Sequence, residues 1–207
     1  MQVQIPDKFK INRKSFVTKI TQANSRSAIS NFCAFPKNVS FTGKEIDECV
    51  VLLVRRSLVS YWPQYLLIFF FIIAPMIFGV LLSAWDNENT AAIGLAATIL
   101  FWLLAFTTAV DTFLKWFYSV NIITDQRVID VDFNNVLYHR YSEAQLENIQ
   151  DVTHSVAGLL GSIFDYGDVY IQTAGTNPEF VFEMVPKPRI VQDTLQDLLE
   201  MKQEGTL

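Results

Sequence analysis

Two long stretches of the chain contain no charged residue. They occupy residues 66–84 and 91–110, and each is close to the roughly 20 apolar residues that cross a hydrocarbon layer of about 30 Å. Soluble core helices rarely run this long without a polar face. The pattern predicts two transmembrane helices in a hairpin over residues 63–112. The alternative is a pair of buried helices in a soluble bundle.

Basic residues on both sides of the hairpin predict its orientation. Arg55 and Arg56 precede the first span, Lys115 follows the second, and the short loop between the spans is acidic. Positively charged flanks stay on the cytoplasmic side. We therefore expect a plasma-membrane protein with two spans and both termini in the cytoplasm.

Aromatic residues flank the two spans, and small residues lie within them. The aromatic residues expected at the membrane–water boundary are Trp62, Tyr65, Trp85, Trp116 and Tyr118. Small residues spaced by four allow helix backbones to approach closely. We expect the tightest helix–helix contact where such pairs share a depth, at Gly79, Ser83, Ala92 and Ala96. The spans contain no ionisable residue, which favours an anchor over a transporter.

The hydrophobic pattern changes to a period of two after the hairpin. Alternating residues predict strands over 116–123, 128–133, 136–141, 149–154, 168–173 and 179–185. Apolar positions Val191, Leu195 and Leu198 then predict an amphipathic helix that begins near Pro188. The chain is thus expected to be a membrane α+β protein, with a cytoplasmic antiparallel barrel or sheet over residues 113–204 capped by its last helix.

The segment before the hairpin is less regular. Residues 44–56 are rich in valine and predict the first strand of the same sheet, with a cytoplasmic extension of the first helix as the alternative. Residues 1–43 are polar, basic and aperiodic. We expect them to be disordered or to lie on anionic lipid headgroups.

Composition and spacing narrow the function. The net charge of −5 argues against nucleic-acid binding. Cys33, Cys49, His139 and His154 share no spacing typical of a metal site or of a nucleophile–base pair. We therefore predict no catalytic, cofactor-binding or metal-binding residues.

One charged patch lies early in the predicted sheet. It consists of Asp125, Arg127, Asp130 and Asp132. A functional interpretation makes it a cation site or the edge at which a partner docks. The alternative is a turn followed by a solvated strand face.

Several segments resemble a known family when they are taken in order. "FTGKEIDECVVLLVRRS", the uncharged hairpin, "WFYSVNIITDQRVIDVD", "LENIQDV" and "YGDVYIQTAG" are similar to bacterial pleckstrin-homology-like (PH-like) membrane proteins of the YdbS-like type. The resemblance covers about residues 41–199 and implies a PH-like barrel with a C-terminal helix. Ser57 stands where many members have histidine. The family offers no catalytic residues to carry over to this chain.

The hypothesis favoured by these patterns is a non-enzymatic interaction or scaffold module at the cytoplasmic membrane face. A sheet edge, or the groove beside the last helix, would receive a protein segment or a second copy of the chain. The alternative is lipid or small-ligand binding through a collar of Trp116, Phe117 and Tyr118. An enzyme or transport subunit would need a reactive cluster. Phosphoinositide recognition is disfavoured because Lys115, Arg127 and Arg140 lie among many acids.

Overall fold

A computed structural model describes residues 14–23, 31–36, 39, 41, 43–45, 47–83, 90–135, 138–156, 158–174 and 179–205. The chain divides into two compact units. Residues 58–116 form the hairpin unit, and the segments on either side of it together form the sheet unit.

Helices and strands follow one another along the chain. The helices are α1 (Lys14–Ala23), α2 (Trp62–Ser83), α3 (Thr90–Tyr118), α4 (Gly158–Phe164) and α5 (Pro188–Gln203). The strands are β1 (Phe32–Ala34), β2 (Val50–Arg55), β3 (Val120–Thr124), β4 (Arg127–Asn135), β5 (Tyr138–Gln145), β6 (Ile149–Ser155), β7 (Tyr166–Thr173) and β8 (Glu179–Pro186). Short 3-10 turns occupy Leu58–Tyr61 and Leu146–Asn148.

Helices α2 and α3 are long and apolar enough to cross a membrane. Only 6% of the most apolar window of each helix is buried within the protein. That exposure is unlike the core helices of a soluble bundle, whose apolar side chains are mostly covered. Helix length and composition thus agree with the predicted spans, while insertion into a membrane stays a prediction.

Less exposed positions recur along the two helices of the hairpin at alternating intervals of three and four residues, a spacing typical of coiled-coil contacts. The less exposed positions include Gln64, Ile68, Phe71, Pro75 and Leu82 in α2, and Gly94, Thr98, Phe101, Ala105, Thr108 and Thr112 in α3. The ring centroids of Phe71 and Phe101 lie 6.3 Å apart. A Cβ added to Gly94 would lie 3.9 Å from Leu82 Cδ1.

This interface is not the one predicted from the small residues. Gly79, Ala92 and Ala96 are exposed, and a Cβ added to Gly79 would meet no atom within 4 Å. The side chain of Ser83 lies outside the described residues. Small residues spaced by four permit a close approach but do not select the helix face. Here the packed face of α3 carries a different set of small residues, among them Gly94, Thr98 and Ala105.

Antiparallel pairing builds two sheets in the sheet unit. Their strand orders are β1-β2-β3-β4-β5 and β6-β7-β8. Both contribute to one hydrophobic core, together with Val191, Leu195 and Leu198 of α5, which are fully buried. The predicted α+β class and the capping helix agree with this arrangement. The predicted barrel is corrected, because the described strands form two separate sheets and no closed barrel.

Strand β2 decides between the two structures predicted for residues 44–56, a strand or an extension of the first helix. Val50–Arg55 is a strand and not a helix extension, as its valines favour. It pairs with β3 on one side and with β1 on the other, through Phe32 and Val54. It is therefore the second strand of its sheet and not the first.

The N-terminal segment is more ordered than its composition suggests. Phe16 and Ile20 of α1 are buried in the main core, and β1 adds an edge strand. The expectation of disorder over residues 1–43 is therefore wrong for Lys14–Ala23 and Phe32–Ala34, while residues 1–13 and 24–30 lie outside the described residues. The spacing of Phe16 and Ile20 by four residues gives α1 one apolar face among its basic residues.

Helix α3 continues further than the predicted span. It runs to Tyr118, so the predicted strand over 116–123 begins only at Val120. Thr112 and Trp116 are buried and four residues apart, which continues the helical period of the packed face. Over so short a segment, the apolar side chains at Trp116 and Tyr118 fit the two-residue period of a strand as well as the period of a helix.

Candidate functional site: a polar cleft beside strand β8

The inward face of the five-stranded sheet begins as ordinary core. Ile123, Val128 and Ala144 lie side by side in register on β3, β4 and β5. All three are buried. Successive residues of a strand point to opposite faces, so the next inward position on each strand is two residues away.

That next row is polar on all three strands. Asn121 pairs with Asp130, and Asp130 pairs with Ser142. Asn121 is only 7% exposed. Asp132 occupies the following inward position of β4. Polar groups at inward strand positions cost free energy unless they are hydrogen-bonded or used for recognition. A complete polar row across three strands therefore marks a candidate site.

The row faces a cleft of about 190 Å³ that opens toward strand β8 of the other sheet. Most of the residues that line it are polar or half-exposed. They are Arg56, Ser119, Asn121, Asp130, Val131, Asp132, Ser142, Phe180, Val181 and Glu183. The cleft lies within the sheet unit, where the two sheets part.

The charges around the cleft are mostly negative. Arg56 Nη1 lies 3.2 Å from Glu183 Oε2, and both side chains are substantially exposed. Such a surface ion pair contributes little to stability. With Asp130 and Asp132, three carboxylates and one guanidinium line the cleft. This arrangement suits a ligand with cationic or N–H donating groups and disfavours phosphate.

Strand β8 presents an edge beside the cleft. Among the strands that the structure describes, it is an outer strand of its sheet and pairs with β7 alone. Near the end of β8, Met184 adopts a left-handed φ of 49°, the register shifts, and the Met184 N–H donates to Asp168 Oδ1 at 2.7 Å. The buried Ser57 donates its N–H to Met184 O at 2.8 Å. Ser57 is thus held to β8 through its backbone.

The opposite end of the sheet carries a closed ionic cluster, here called the clamp. Arg127 donates to both oxygens of Glu48, from Nε at 3.0 Å and from Nη2 at 2.9 Å. Arg127 also donates from Nη1 to Glu143 Oε2 at 3.3 Å and from Nη2 to Gly43 O at 2.5 Å. Beside it, Asp125 Oδ1 accepts the Cys49 N–H at 2.9 Å. The clamp ties the segment before β2 to the β3–β4 turn.

Burial and hydrogen bonding oppose one another at Glu48. Burial raises its pKa, but hydrogen bonds from Arg127, Thr124 and the Glu45 backbone, together with the Arg127 charge, leave the pKa below the ordinary glutamate value. The bond to Glu48 is also the main reason why the pKa of Arg127 is raised. Both groups are therefore charged at neutral pH, as a bidentate buried pair requires.

The structure separates the charged patch that the sequence suggested. Asp125 and Arg127 belong to the clamp, whereas Asp130 and Asp132 line the cleft. The two groups lie at opposite ends of β3 and β4. The fold therefore does not bring the four residues of the patch together as one cation site. Within the residues that the structure describes, no three His, Cys, Asp or Glu side chains form a group that could hold a metal ion.

Polar residues of β6, including His154, have local partners. His154 Nδ1 contacts Gln192 Oε1, and Gln192 Nε2 donates to Val152 O at 2.8 Å. Asp151 Oδ1 accepts the Val152 N–H at 2.8 Å, beside a register shift in β6. The side chain of His139 lies outside the described residues. These contacts attach β6 to α5 and fix local geometry.

The predicted boundary residues differ in exposure. Trp62, Tyr65 and Tyr118 are exposed, whereas Trp116 is only 4% exposed and so does not present its ring to the surroundings. Trp85 lies outside the described residues. Trp116 is buried because it falls on the packed face of α3.

The basic residues predicted to set the topology have contacts of their own. Lys115 Nζ lies 2.8 Å from Asp111 Oδ2, one helical turn away. The Arg55 guanidinium lies 5.1 Å from the centroid of the Phe117 ring. Arg56 reaches Glu183 beside the cleft.

Comparisons with known proteins give one distant relationship. No family model matches the chain, and no curated protein matches it. Among solved structures, it is similar to a DUF1696 family protein with a pleckstrin-homology domain from Shewanella loihica PV-4. The two share 16% identity with a TM-score of 0.32, over 39% of this chain and 70% of that one. The neighbour is too distant to assign the chain to a family.

Proposed function

We propose that this chain is a hairpin-anchored, PH-like interaction module at the cytoplasmic face of a bacterial plasma membrane, with no enzymatic role. Helices α2 and α3 form the anchor, and the sheet unit carries the recognition surface. The ordered resemblance to YdbS-like sequences supports the PH-like assignment. The basic flanks Arg55, Arg56 and Lys115 support the cytoplasmic placement.

The in-register polar row of Asn121, Asp130 and Ser142 carries the proposal. On this inward sheet face, polar side chains occupy positions where apolar core side chains are usual. The row lies directly beside the cleft and the edge of β8. An outer strand offers backbone groups to an added strand. The carboxylates of Asp130 and Asp132 offer acceptors to basic side chains.

The ligand that fits these features is an extended protein segment that carries lysine or arginine. Its backbone would pair with β8, and its basic side chains would enter the cleft. A segment from a second copy of the chain and a segment from another protein satisfy the same chemistry, and they differ in the mass of the complex.

Site-specific photocrosslinking in native membranes tests the recognition surface. A photoreactive residue replaces Val181, which lines the cleft, or Gln172, which is exposed on β7 away from it. We expect discrete products from position 181 and none from 172. Neutralising Asp130 and Asp132 together, as D130N and D132N, should remove most of the product. A product of twice the chain mass identifies a second copy.

Two outcomes would contradict the proposed recognition. One is monomer alone at position 181 across several crosslinking chemistries. The other is a set of products that is identical at both positions and unchanged in the D130N/D132N variant.

The anchor has a separate test. The protein should remain with the membrane fraction after alkaline carbonate extraction, and protease added to intact cells should leave residues 113–204 uncut. Release by carbonate, or digestion of the sheet unit from outside, excludes the proposed topology.

Binding of a lipid headgroup or small polar ligand is a second candidate. The cleft of about 190 Å³ has room for a small group, and its three carboxylates favour an amine over a phosphate. In this case a defined lipid or cation should co-purify with the full chain and raise its melting temperature, and D130N should reduce that rise.

A further inference from the structure

Helix α4 buries a glycine and exposes its large apolar residues, which is the reverse of an ordinary surface helix. Gly161 is its buried residue, and a Cβ added there would lie 3.0 Å from Tyr166 O and 3.2 Å from Val156 Cγ1. The large apolar residues point outward. Leu159 is 83% exposed, Ile163 is 71% exposed, and Leu160 and Phe164 are also exposed.

Helix α5 shows the usual arrangement for comparison. Its apolar residues Val191, Leu195 and Leu198 are fully buried against the sheets. In α4 the residues at positions 159, 160, 163 and 164 share one face, because positions four apart in a helix lie above one another. A single exposed leucine is unremarkable, but a contiguous apolar face marks an interaction surface.

Strand register locates this face within the sheet unit. Helix α4 joins the end of β6 to the start of β7, where Ser155 pairs with Asp168. Tyr166 pairs with Pro186, so the end of β8 lies there too. Ser57, the last residue before the hairpin, donates its N–H to Met184 O of β8 at 2.8 Å. The chain therefore leaves for the hairpin at the α4 end of this sheet.

The chain also returns at that end. Arg55 pairs with Val120 at the start of β3, and the Arg55 guanidinium lies over the ring of Phe117. Phe117 and Tyr118 are themselves exposed and contact each other edge to face at 5.2 Å. Ser57, where the chain leaves for the hairpin, and Phe117, where it returns, thus lie at one end of the sheet unit. The exposed rings of Phe117 and Tyr118 and the apolar face of α4 lie at the same end.

We propose that α4 is a third membrane contact, which inserts its apolar face into the interfacial region of the bilayer that holds the hairpin. The inference rests on the proposed membrane anchor. If the hairpin spans a bilayer, the chain is tethered to it at Ser57 and Phe117, at the end of the sheets where α4 projects. Lipid is then the apolar partner held nearby at all times, whereas a second copy must arrive by diffusion. A short helix with apolar residues on its outer face and glycine on its inner face suits shallow insertion.

Fluorescence quenching in lipid nanodiscs tests the insertion. The full chain is prepared with Cys33 and Cys49 replaced by alanine, and a single cysteine is placed at Ile163, Gln172 or Phe69. Each carries an environment-sensitive dye, and the nanodiscs contain phosphatidylcholine and phosphatidylglycerol with or without a nitroxide near the glycerol end of the acyl chain. We expect a blue-shifted emission at position 163 and several-fold stronger nitroxide quenching there than at 172.

The three positions separate the possible results. Position 69 lies in α2 and is highly exposed, so it should be quenched by lipid nitroxides if the hairpin spans the bilayer. Quenching at 69 with aqueous iodide quenching at 163 would overturn the α4 inference and leave the anchor intact. No lipid quenching at 69 or at 163 would overturn both. A blue shift at 163 without nitroxide quenching would indicate a second copy as the partner and overturn lipid insertion.

Discussion

The two ends of the five-stranded sheet use charge in different ways. At the clamp, the buried carboxylate of Glu48 receives two hydrogen bonds from Arg127, and the arginine is further held by Glu143 and Gly43. At the cleft, Asp130 and Asp132 line a cavity. In the first arrangement the carboxylate of Glu48 is enclosed by the fold. In the second the carboxylates border space that another molecule can fill.

The contrast separates residues that hold the fold together from residues available for recognition. A buried charge that loses its partner is strongly destabilising. A carboxylate beside an open cleft retains access to water and can be neutralised at little cost. Charge alone, as seen in the sequence, does not distinguish these two roles. Three substitutions and one pH dependence test whether the structure distinguishes them.

The largest effect is expected for Glu48→Gln. It removes the buried ionised partner of Arg127 and leaves the half-buried guanidinium only the exposed carboxylate of Glu143, so the free energy of unfolding should fall by roughly 3–5 kcal/mol. Hydrogen exchange of the β3–β4 amides, in the full chain in detergent, measures the loss. Glu143→Gln is the matched control, since that carboxylate contacts the same arginine from an exposed position, and should cost less than about 1 kcal/mol. Equal losses of stability in the two variants would show that the buried and the exposed carboxylate contribute alike, and would contradict this prediction.

Arg127→Lys should give the next largest effect. Lysine keeps the charge but cannot donate along two parallel directions to Glu48 while it also reaches Gly43 O. We expect a loss of roughly 1.5–3 kcal/mol, the range for hydrogen bonds to charged groups. The same exchange measurement applies. A loss below that of Glu143→Gln would show that the clamp depends on charge and not on the shape of the guanidinium.

Acid should weaken the clamp selectively. Because the pKa of Glu48 is lowered in the folded protein, its contribution is complete above the ordinary glutamate pKa of about 4.3. The contribution is lost as the pH falls through the lower folded-state pKa. Melting temperature measured against pH should therefore decline less steeply on the acid side for Glu48→Gln than for the natural chain. Parallel acid limbs would contradict the assignment.

The smallest effect on stability is expected at the cleft. Asp132→Asn keeps the shape and removes one of the three carboxylates that line the cleft, so the free energy of unfolding should change by no more than about 0.5 kcal/mol. Crosslinking from position 181 should nevertheless fall. A destabilisation comparable to that of Glu48→Gln would show that Asp132 supports the fold and is not reserved for a ligand.

Local pattern was sufficient for much of the fold. Length and lack of charge predicted α2 and α3, alternation predicted β4 and β6–β8, and the spacing of Val191, Leu195 and Leu198 predicted α5. Each is a repeating signal confined to one segment. The limits of α3 were missed because alternation and helical spacing agree over a few residues near Trp116.

The candidate site depends on relationships between distant segments. Asn121, Asp130 and Ser142 form one row only after β3, β4 and β5 acquire their register. Glu48 and Arg127 are separated along the chain by the entire hairpin. Gly161 identifies the inner face of α4 only once Tyr166 lies behind it. The signal available in advance was the pair of aspartates on one strand face, whose use the sequence left open.

The position of the hairpin between β2 and β3 has a consequence for biosynthesis. Arg55 cannot find Val120 until the ribosome has produced everything between them, which takes several seconds at about 5–20 residues per second. During that delay β2 has β1 on one side but lacks β3 on the other, and its valines must be shielded or remain inside the exit tunnel. Completion of the sheet thus follows synthesis of both long helices, and a stalled or truncated product ending within α3 would expose an unfinished strand to quality control.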